Sequence, residues 1–461
     1  MPSRSTLRML LLAIGLTLSI RGLATFLDPD AFAADPDAYR VIAKTLRQSG
    51  VFGLTGADGS TRPIAFRPPL YPWLLSIGMP GGQASRLAVA TLHLVLAALT
   101  SCFVFLATRH YVVQLRAAGR TTDGLQAWRK LPACDSGDRL GLAAALLTAI
   151  DPILLRQSVE VMTETLAATL TVAVIWMWSR WDAEDATTTG QRASIFFPLG
   201  IGSLLALAYL CRPTFLVWAV LLVLATPIRF RNRRGVRSAL LIASIVALAV
   251  GGWTWRNTRV LGHPIWATTH GGYTLLLANN ESFYRYLSEG QFGQAWDATS
   301  FLNAYAHRYE GDPREAAFWR RDWTGAPSYD ATVSEFDDDR LCYESAVATI
   351  TRHPSVFAWS VVVRVGRLWS PFPHAVAGRS TPAALAVGVF YIALYVAVIV
   401  TVVRHRRRVF AGRWWAIWLL AITLTGVHAV YWSNLRMRAP IMPAIAILAV
   451  CSVVGKQPAD D

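Results

Sequence analysis

Charged residues are scarce in this chain, lysine is almost absent, and the cysteines follow no recurring spacing. Only 16% of the 461 residues are charged, and Lys44, Lys130 and Lys456 are the only lysines. The five cysteines form no C-x-x-C pair, so neither a cysteine metal site nor a disulfide scaffold is indicated. No HExxH, P-loop or GxSxG motif occurs, which leaves metalloprotease, ATPase and serine hydrolase activities without support.

What the chain has instead is apolar sequence and aromatic rings. Hydrophobic residues make up 54% of it, with 18 tryptophans and 14 tyrosines, a composition typical of a polytopic membrane protein. The formal charge of +15 could suggest a nucleic-acid partner. The arginines, however, cluster in short loops between apolar runs, so we expect membrane lipids and no nucleic acid as partners.

The hydrophobic runs predict an all-α polytopic membrane protein with about ten spanning helices. Ala31-Phe32-Ala33 resembles a signal-peptide cleavage site, but the length of the first run favours an uncleaved helix. Asp151-Pro152 and Arg212-Pro213 interrupt two runs, and we interpret each as a tight turn, although each could lie within one broken helix. The candidate spans are 9–27, 85–107, 139–152, 158–179, 194–211, 213–228, 238–256, 383–403, 414–432 and 438–455.

The distribution of arginine sets the expected orientation. Loops 109–139, 180–192, 229–237 and 404–413 are basic, so the positive-inside rule places them and both termini in the cytoplasm. Segments 28–84, 257–382 and 433–438 then face outward. We predict an N-terminal module (1–256, including loop 28–84), a cap segment (257–382) with an interfacial helix at 356–369, and C-terminal helices (383–461).

The first outer loop contains acids at one end and an arginine at the other. Asp35 and Asp37 precede a stretch from Tyr39 with apolar residues at helical spacing, which predicts an amphipathic helix near the bilayer surface. A carboxylate there can gain the pKa of a general base. Arg67 stands before Pro68-Pro69, where a guanidinium in fixed orientation could bind a phosphate. The alternatives are a solvated acidic loop and an arginine that reaches the lipid headgroups.

Polar residues near other predicted helix ends extend this set. Glu164 is expected about one turn inside an apolar helix, where a carboxylate is costly unless it is paired or functional. Arg212 lies at a turn, with an anchoring role as probable as phosphate binding. Arg436 and Arg438 lie on the last outer hinge beside a helix start, which favours an anion site.

These residues resemble a known family. Asp35-x-x-x-Tyr39 followed by Arg67-Pro-Pro-Leu-Tyr71 looks like the first periplasmic loop of the GT-C glycosyltransferases. The branch concerned contains the aminoarabinose transferase, protein O-mannosyltransferases and lipopolysaccharide core galacturonosyltransferases. Its members typically show Asp-Glu-x-x-Tyr, whereas this chain has Pro36 in place of the glutamate. Either Asp37 compensates or the second acid is dispensable, so both aspartates remain candidates for the base.

Weaker motifs continue the resemblance along the chain. They are Thr-Glu at Glu164, Arg-Pro at Arg212, a Gly-Gly-Tyr segment followed by an asparagine pair, and Arg-x-Arg-x-Pro near the C-terminus. For the asparagines, a turn-rich loop is the competing interpretation. The implied roles are catalysis by Asp35 or Asp37; donor-phosphate binding by Arg67, Arg212, Arg436 and Arg438; and substrate binding by Tyr39, Tyr71, Glu164, Asn279 and Asn280.

The resemblance implies an enzyme of the bacterial inner membrane whose site faces the periplasm. It would transfer a sugar from a polyprenyl-phosphate donor to a lipid, glycan or other periplasmic acceptor, in lipopolysaccharide or another envelope glycan. No metal ligands and no certain cofactor are assigned, although acids such as Asp337, Asp338 and Asp339 are compatible with a divalent cation. The rival hypotheses are a transporter or flippase, for which internal repeats are expected but not found, and a non-catalytic scaffold.

Overall fold

The computed structural model of this chain describes most of its length. The described residues are 3–28, 30–56, 59–79, 85–117, 135–185, 195–231, 233–290, 294–327, 333–374 and 380–455. Much of the predicted basic loop 109–139, most of loop 180–192, and residues 456–461 lie outside them.

The described chain is α-helical apart from one small hairpin. Strands β1 (Gly53–Thr55) and β2 (Thr61–Pro63) pair antiparallel, with Leu54 opposite Arg62. The helices are α1 (Arg4–Leu27), α2 (Tyr39–Ser49), α3 (Leu70–Ile77), α4 (Arg86–Ala117), α5 (Asp135–Ala149), α6 (Pro152–Gln157), α7 (Glu164–Asp185), α8 (Phe196–Cys211), α9 (Phe215–Phe230), α10 (Arg233–Leu261), α11 (Gly271–Ala278), α12 (Glu281–Glu289), α13 (Thr299–Ala306), α14 (Glu335–Arg352), α15 (Pro354–Trp369), α16 (Thr381–Val409), α17 (Trp415–Val430) and α18 (Met442–Val450).

Several helices have the length and composition of membrane spans. Among the described residues, six helical stretches are long and apolar enough to cross a bilayer, and α8 and α9 are shorter apolar helices. The six are Arg4–Leu27, Arg86–Arg116, Arg233–Leu261, Thr381–Val409, Gly412–Val430 and Leu435–Val453. The predicted α-helical, multi-pass membrane architecture is therefore confirmed, while the number of about ten spans stays a prediction.

The bundle is organised around α7 and α18. Helix α7 packs on α4 and α8, and every residue of α18 from Met442 to Val450 is buried. A helix that is apolar on all sides can only be buried or face lipid, so protein neighbours take up the whole surface of α18. Helix α1 packs on α4 and α5 at one side of the bundle.

Two proline positions end helices as the sequence predicts. Helix α6 begins at Pro152, where the missing N–H costs nothing, and Asp151 Oδ1 accepts a hydrogen bond from Leu154 N at 2.9 Å. Helix α8 ends at Cys211, and Arg212 and Pro213 lie in the break before α9. Both motifs are turns between separate helices.

The expected position of Glu164 is wrong. We expected this carboxylate one turn inside a helix, but α7 begins at Glu164, so the side chain lies at the helix end. The last span also differs from a regular helix. Residues Leu435–Ile441 form a 3₁₀ helix that contains Pro440, and α18 begins only at Met442. Pro443 lies in the first turn of α18, where its missing N–H costs nothing.

The segment predicted as a cap contains α11 to α15 and its own aromatic cluster around Phe301, Phe318 and Trp319. Helix α15 covers the predicted interfacial helix 356–369, and α10 continues past residue 256 to Leu261. A third cluster joins this region to the first loop, because Ile42 and Ile64 pack with Ile265. The first loop and the segment after α10 therefore lie against each other.

Candidate functional site

An ion pair joins the two ends of the first loop. Arg67 Nη2 lies 2.7 Å from Asp37 Oδ1, and Arg67 Nε donates to the Asp37 backbone oxygen at 3.1 Å. The guanidinium also lies over the rings of Phe66, 4.2 Å from its centroid, and Tyr39, 5.8 Å away. These contacts hold the guanidinium plane in one orientation, and the arginine side chain is only 11% exposed.

Asp35 caps helix α2. Its Oδ2 accepts hydrogen bonds from the backbone N–H groups of Arg40, at 2.9 Å, and Val41, at 3.3 Å. Burial raises the pKa of Asp35, although these backbone donors oppose the shift. Its Oδ1 atom is buried without a hydrogen-bond partner in the described structure. The two candidate bases thus have different surroundings: one caps a helix, and the other pairs with Arg67.

A second charged group forms where three helix ends meet. Glu164 Oε1, at the start of α7, lies 3.0 Å from Arg212 Nη2 and 3.2 Å from Arg436 Nε. Glu164 is 1% exposed, and its other oxygen, Oε2, is buried without a partner among the described residues. Arg212 and Arg436 are 224 positions apart in the sequence, yet they share this one carboxylate. A carboxylate in this position is stabilised by pairing rather than by water.

Tyr39 lies beside the first ion pair, with its ring centroid 5.8 Å from the Arg67 guanidinium. Burial raises the pKa of Tyr39, and the charges of both ion-paired groups act on it more weakly. The phenol therefore stays protonated and can donate a hydrogen bond. The residue is only 5% exposed, so this phenol is a buried polar group.

Tyr71 packs against Tyr39. The two rings meet edge-to-face at 5.2 Å, and Tyr71 OH lies 2.7 Å from His93 Nε2. His93 Nδ1 in turn lies 2.9 Å from the Ser158 carbonyl oxygen. In the sequence, a single histidine in an apolar helix such as His93 predicts a packing residue or a polar contact rather than a ligand. The structure shows a polar contact, and its partner is Tyr71, a residue predicted to bind substrate.

Positive charge is in excess in this arginine cluster, which we define as Asp37, Arg67, Glu164, Arg212 and Arg436. Three guanidinium groups face two carboxylates. A neighbouring imidazole adds no charge, because burial, with a smaller effect of Arg67, lowers the pKa of His270 to about 3. A largely buried cluster with one unbalanced positive charge is an anion-binding arrangement.

Arg438 lies among other neighbours. It is fully buried, its Nη1 donates to the carbonyl oxygens of Leu368 at 3.0 Å and Ser370 at 2.5 Å, and its guanidinium lies 4.3 Å from the Tyr391 centroid. These contacts tie the hinge to the end of α15 and to α16. The structure therefore separates Arg438 from the cluster that contains Arg436, and a phosphate-binding role for Arg438 stays a prediction.

The side chains of Asn279 and Asn280 form hydrogen bonds within the protein. Asn279 Oδ1 accepts from Tyr284 OH at 2.9 Å and Arg364 Nη1 at 3.0 Å, while its Nδ2 donates to two backbone carbonyls. Asn280 Oδ1 caps α12 through Phe283 N at 2.8 Å, and its Nδ2 also donates to carbonyls. Both side chains are fully buried, so the substrate-binding role predicted for them has no support in this geometry.

The acids that are compatible with a divalent cation have protein partners. Among the residues that the structure describes, no group of three histidine, cysteine or acidic side chains could hold a metal ion. Of the three adjacent aspartates, Asp338 pairs with Arg308 at 2.6 Å, and Asp339 accepts from Gly272 N at 2.6 Å. These contacts tie the acids into the fold.

The fold has relatives among solved structures. No family model matches the sequence, and no curated protein matches it significantly. The archaeal oligosaccharyltransferase AglB from Archaeoglobus fulgidus, in complex with an inhibitory peptide and a dolichol-phosphate, aligns with a TM-score of 0.53 at 15% identity. Its apo form gives 0.50, also at 15% identity, and both alignments cover 97% of this chain. The chain has a fold similar to that of this oligosaccharyltransferase.

The similarity extends over part of the archaeal enzyme. The chain spans about half the length of that protein, since the alignments cover 50% of it. The aminoarabinose transferase ArnT from Cupriavidus metallidurans, bound to undecaprenyl phosphate, aligns over 95% of this chain and 77% of ArnT. Its identity is 11% and its TM-score 0.38. The predicted resemblance to GT-C glycosyltransferases is thus confirmed as a similarity of fold.

Proposed function

We propose that this protein is a membrane glycosyltransferase that takes its sugar from a polyprenyl-phosphate donor. The observation that carries the proposal is the arginine cluster, in which the first loop, the start of α7, the end of α8 and the last hinge contribute three arginines and two acids, with Tyr39 beside Arg67. A protein that only spans the membrane has no use for an unbalanced positive charge at its helix ends. A lipid phosphate would supply the anion that balances this charge. The archaeal enzyme with this fold was solved with a dolichol-phosphate, which is a donor carrier of the same chemical class.

In the proposed donor complex, the phosphate binds to Arg67, Arg212 and Arg436. Each of these arginines now uses part of its donor set on Asp37 or Glu164 and retains further N–H groups for a ligand. Glu164 keeps Arg212 and Arg436 aligned. Its other oxygen, Oε2, is buried, so we assign Glu164 the role of holding these two arginines.

We assign the general base to Asp37 rather than Asp35. Asp37 Oδ1 pairs with Arg67, and its carboxylate is 21% exposed, so an acceptor can reach it. The free oxygen of Asp35 is buried and its other oxygen caps α2, which suits a positioning role. The acceptor oxygen would attack the anomeric carbon and pass its proton to Asp37. The bond from that carbon to the phosphate oxygen breaks, and polyprenyl phosphate departs with its charge held by the arginines.

The number of spans, the orientation and the membrane concerned are part of the same proposal. We infer about ten spans, cytoplasmic termini, and an arginine cluster facing the periplasm of a bacterial inner membrane. Segment 257–382 would act as the cap that closes over the donor and selects a lipid, glycan or other envelope acceptor, as in lipopolysaccharide assembly. A direct displacement would invert the anomeric centre.

The test uses the purified full-length protein in lipid nanodiscs with radiolabelled polyprenyl-phosphate sugars and a mixture of envelope lipids. We expect label to move from the donor to a new product and free polyprenyl phosphate to accumulate. The same protein reconstituted in sealed vesicles tests transport, and unchanged donor on the opposite face would indicate a flippase. If the protein binds a donor but neither consumes nor moves it, the result would indicate a non-catalytic scaffold.

A further inference from the structure

The backbone that leads into Arg67 is held from two distant parts of the chain. The Ile64 carbonyl oxygen accepts a hydrogen bond from Arg256 Nη1 at 2.6 Å, and Ala65 N donates to Glu335 Oε2 at 3.0 Å. Thr269 N donates to the Ala65 carbonyl oxygen at 3.1 Å. Ile64 and Ala65 are buried, so these backbone groups have no water to replace a lost partner.

Glu335 is central to this arrangement. It is the first residue of α14, and its Oε2 atom accepts two hydrogen bonds, from Ala65 N and from Thr269 Oγ1 at 2.8 Å. The positive charge of Arg256 attracts the same carboxylate. Arg256 is itself fixed, because its Nη2 donates to the Phe52 carbonyl oxygen at 2.8 Å. One acid thus joins the first loop to the segment after α10.

The position of Arg67 follows from this junction. Arg67 lies two residues after Ala65, and Pro68 and Pro69 restrict the backbone on its other side. Thr269 precedes His270, whose ring packs edge-to-face on Phe66 at 4.8 Å, and Phe66 lies under the Arg67 guanidinium. The backbone is therefore held by Glu335 and Thr269, and the ring beneath the guanidinium is contacted by His270, the neighbour of Thr269.

We propose that Glu335 is a positioning residue that holds Arg67 where its guanidinium can bind the donor phosphate. The proposal rests on the proposed function, because the position of Arg67 matters only if that arginine binds phosphate. Bidentate binding of a phosphate tolerates little displacement, so a small shift of residues 64–67 weakens it. Glu335 touches no reacting group and acts through Arg67.

The first experiment measures binding of undecaprenyl phosphate to the full-length protein in nanodiscs. Glu335→Ala should raise the apparent Kd about tenfold. Glu335→Gln should stay within about twofold of wild type, because an amide oxygen accepts the same two hydrogen bonds. Glu344→Ala is the matched control, since this residue lies on the same helix and pairs with Arg314 and Arg340 at the surface.

A double-mutant cycle separates positioning from general stability. In an Arg67→Ala background, Glu335→Ala should cause no further loss of binding, because the residue through which it acts is gone. A loss of the same size in both backgrounds would overturn the proposal, as would wild-type affinity in Glu335→Ala. If Glu335→Ala does not fold, Thr269→Val removes one of the two donors and should show a smaller loss with the same dependence on Arg67.

Hydrogen–deuterium exchange gives a readout that needs no ligand. Glu335→Ala should speed exchange in the peptide containing Ala65, and Glu335→Gln should not. Faster exchange with unchanged affinity for undecaprenyl phosphate would show a structural contact without a positioning role. If the wild-type protein binds no polyprenyl phosphate, the proposed function fails, while the exchange data still decide whether Glu335 holds this segment.

Discussion

Arg67 Nη2 meets Asp37 Oδ1 at 2.7 Å, joining residues that are 30 positions apart at opposite ends of the first loop. The same arginine donates from Nε to the backbone oxygen of Asp37, so its guanidinium binds both the side chain and the main chain of one residue. This pair brings the proposed general base and the proposed phosphate-binding arginine to one point, and the proposed chemistry depends on it.

Asp37→Asn should lower kcat/KM for sugar transfer by about a hundredfold to ten-thousandfold, because an amide cannot accept the acceptor proton. Asp35→Asn should cost much less, since the asparagine oxygen can still accept the hydrogen bonds from Arg40 N and Val41 N. Steady-state kinetics on both variants check this. An inactive Asp35→Asn beside a fully active Asp37→Asn would move the base to Asp35.

Arg67→Lys should bind the polyprenyl-phosphate donor much more weakly than wild type despite its retained charge. A lysine ammonium cannot bond Asp37 twice and present a further planar N–H pair to phosphate, so we expect at least about a tenfold rise in donor KM. Arg62→Lys is a suitable control, because Arg62 is an exposed residue of β2 in the same loop. Donor kinetics unaltered by Arg67→Lys would remove this residue from the phosphate site.

Arg436→Ala and Arg438→Ala should fail in different ways. Loss of Arg436 removes a partner of Glu164 and should weaken donor binding with a moderate effect on stability. Loss of Arg438 leaves the buried carbonyl oxygen of Leu368 and the half-buried one of Ser370 without their donor and should lower the free energy of unfolding by about 3 kcal/mol. Donor titration and thermal unfolding of both variants check this. Equal donor affinity in wild type and Arg436→Ala would contradict the assignment.

The wild-type protein should lose stability as pH rises from about 4 to 6 through Asp339. Burial raises the pKa of Asp339 to about 6, although Gly272 N opposes the shift. The folded protein then holds a proton that the unfolded chain releases near the ordinary aspartate pKa of 3.8, so the contribution is present below that value and lost through about 6. Asp339→Asn should flatten this slope in thermal unfolding, and exposed Asp322→Asn should not.

Local sequence was enough to find most helices and to single out the residues of the arginine cluster. The amphipathic stretch from Tyr39 is helix α2, with Tyr39, Ile42 and Ala43 buried, because periodicity is a property of neighbouring residues. The turns at Asp151-Pro152 and Arg212-Pro213 were also predictable, since proline disfavours a helical conformation of the residue before it and is well tolerated in the first turn of a helix. The small hairpin was not predicted, because its strands are three residues each, too short to carry an alternating pattern.

Local sequence does not predict which polar and charged residues pair with each other. Nothing in the order of residues says that Glu164 faces Arg212 and Arg436, or that Glu335 accepts from Ala65 across 270 positions. Asn279 and Asn280 illustrate the same limit, because their chemistry suits a sugar but the packing of α11, α12 and α15 uses their polar atoms internally.

The order of residues alone is enough to establish an α-helical, multi-pass membrane protein with charged residues at its helix ends. The length of each hydrophobic run and the distribution of arginine between the runs can be read directly from neighbouring residues. Which charges meet depends on the tertiary fold. Arg436 and Arg438 have the same chemistry and lie two residues apart, yet one joins the arginine cluster and the other binds carbonyls at Leu368 and Ser370. A 3₁₀ helix turns about a third of a circle per residue, so these two side chains leave it on different sides.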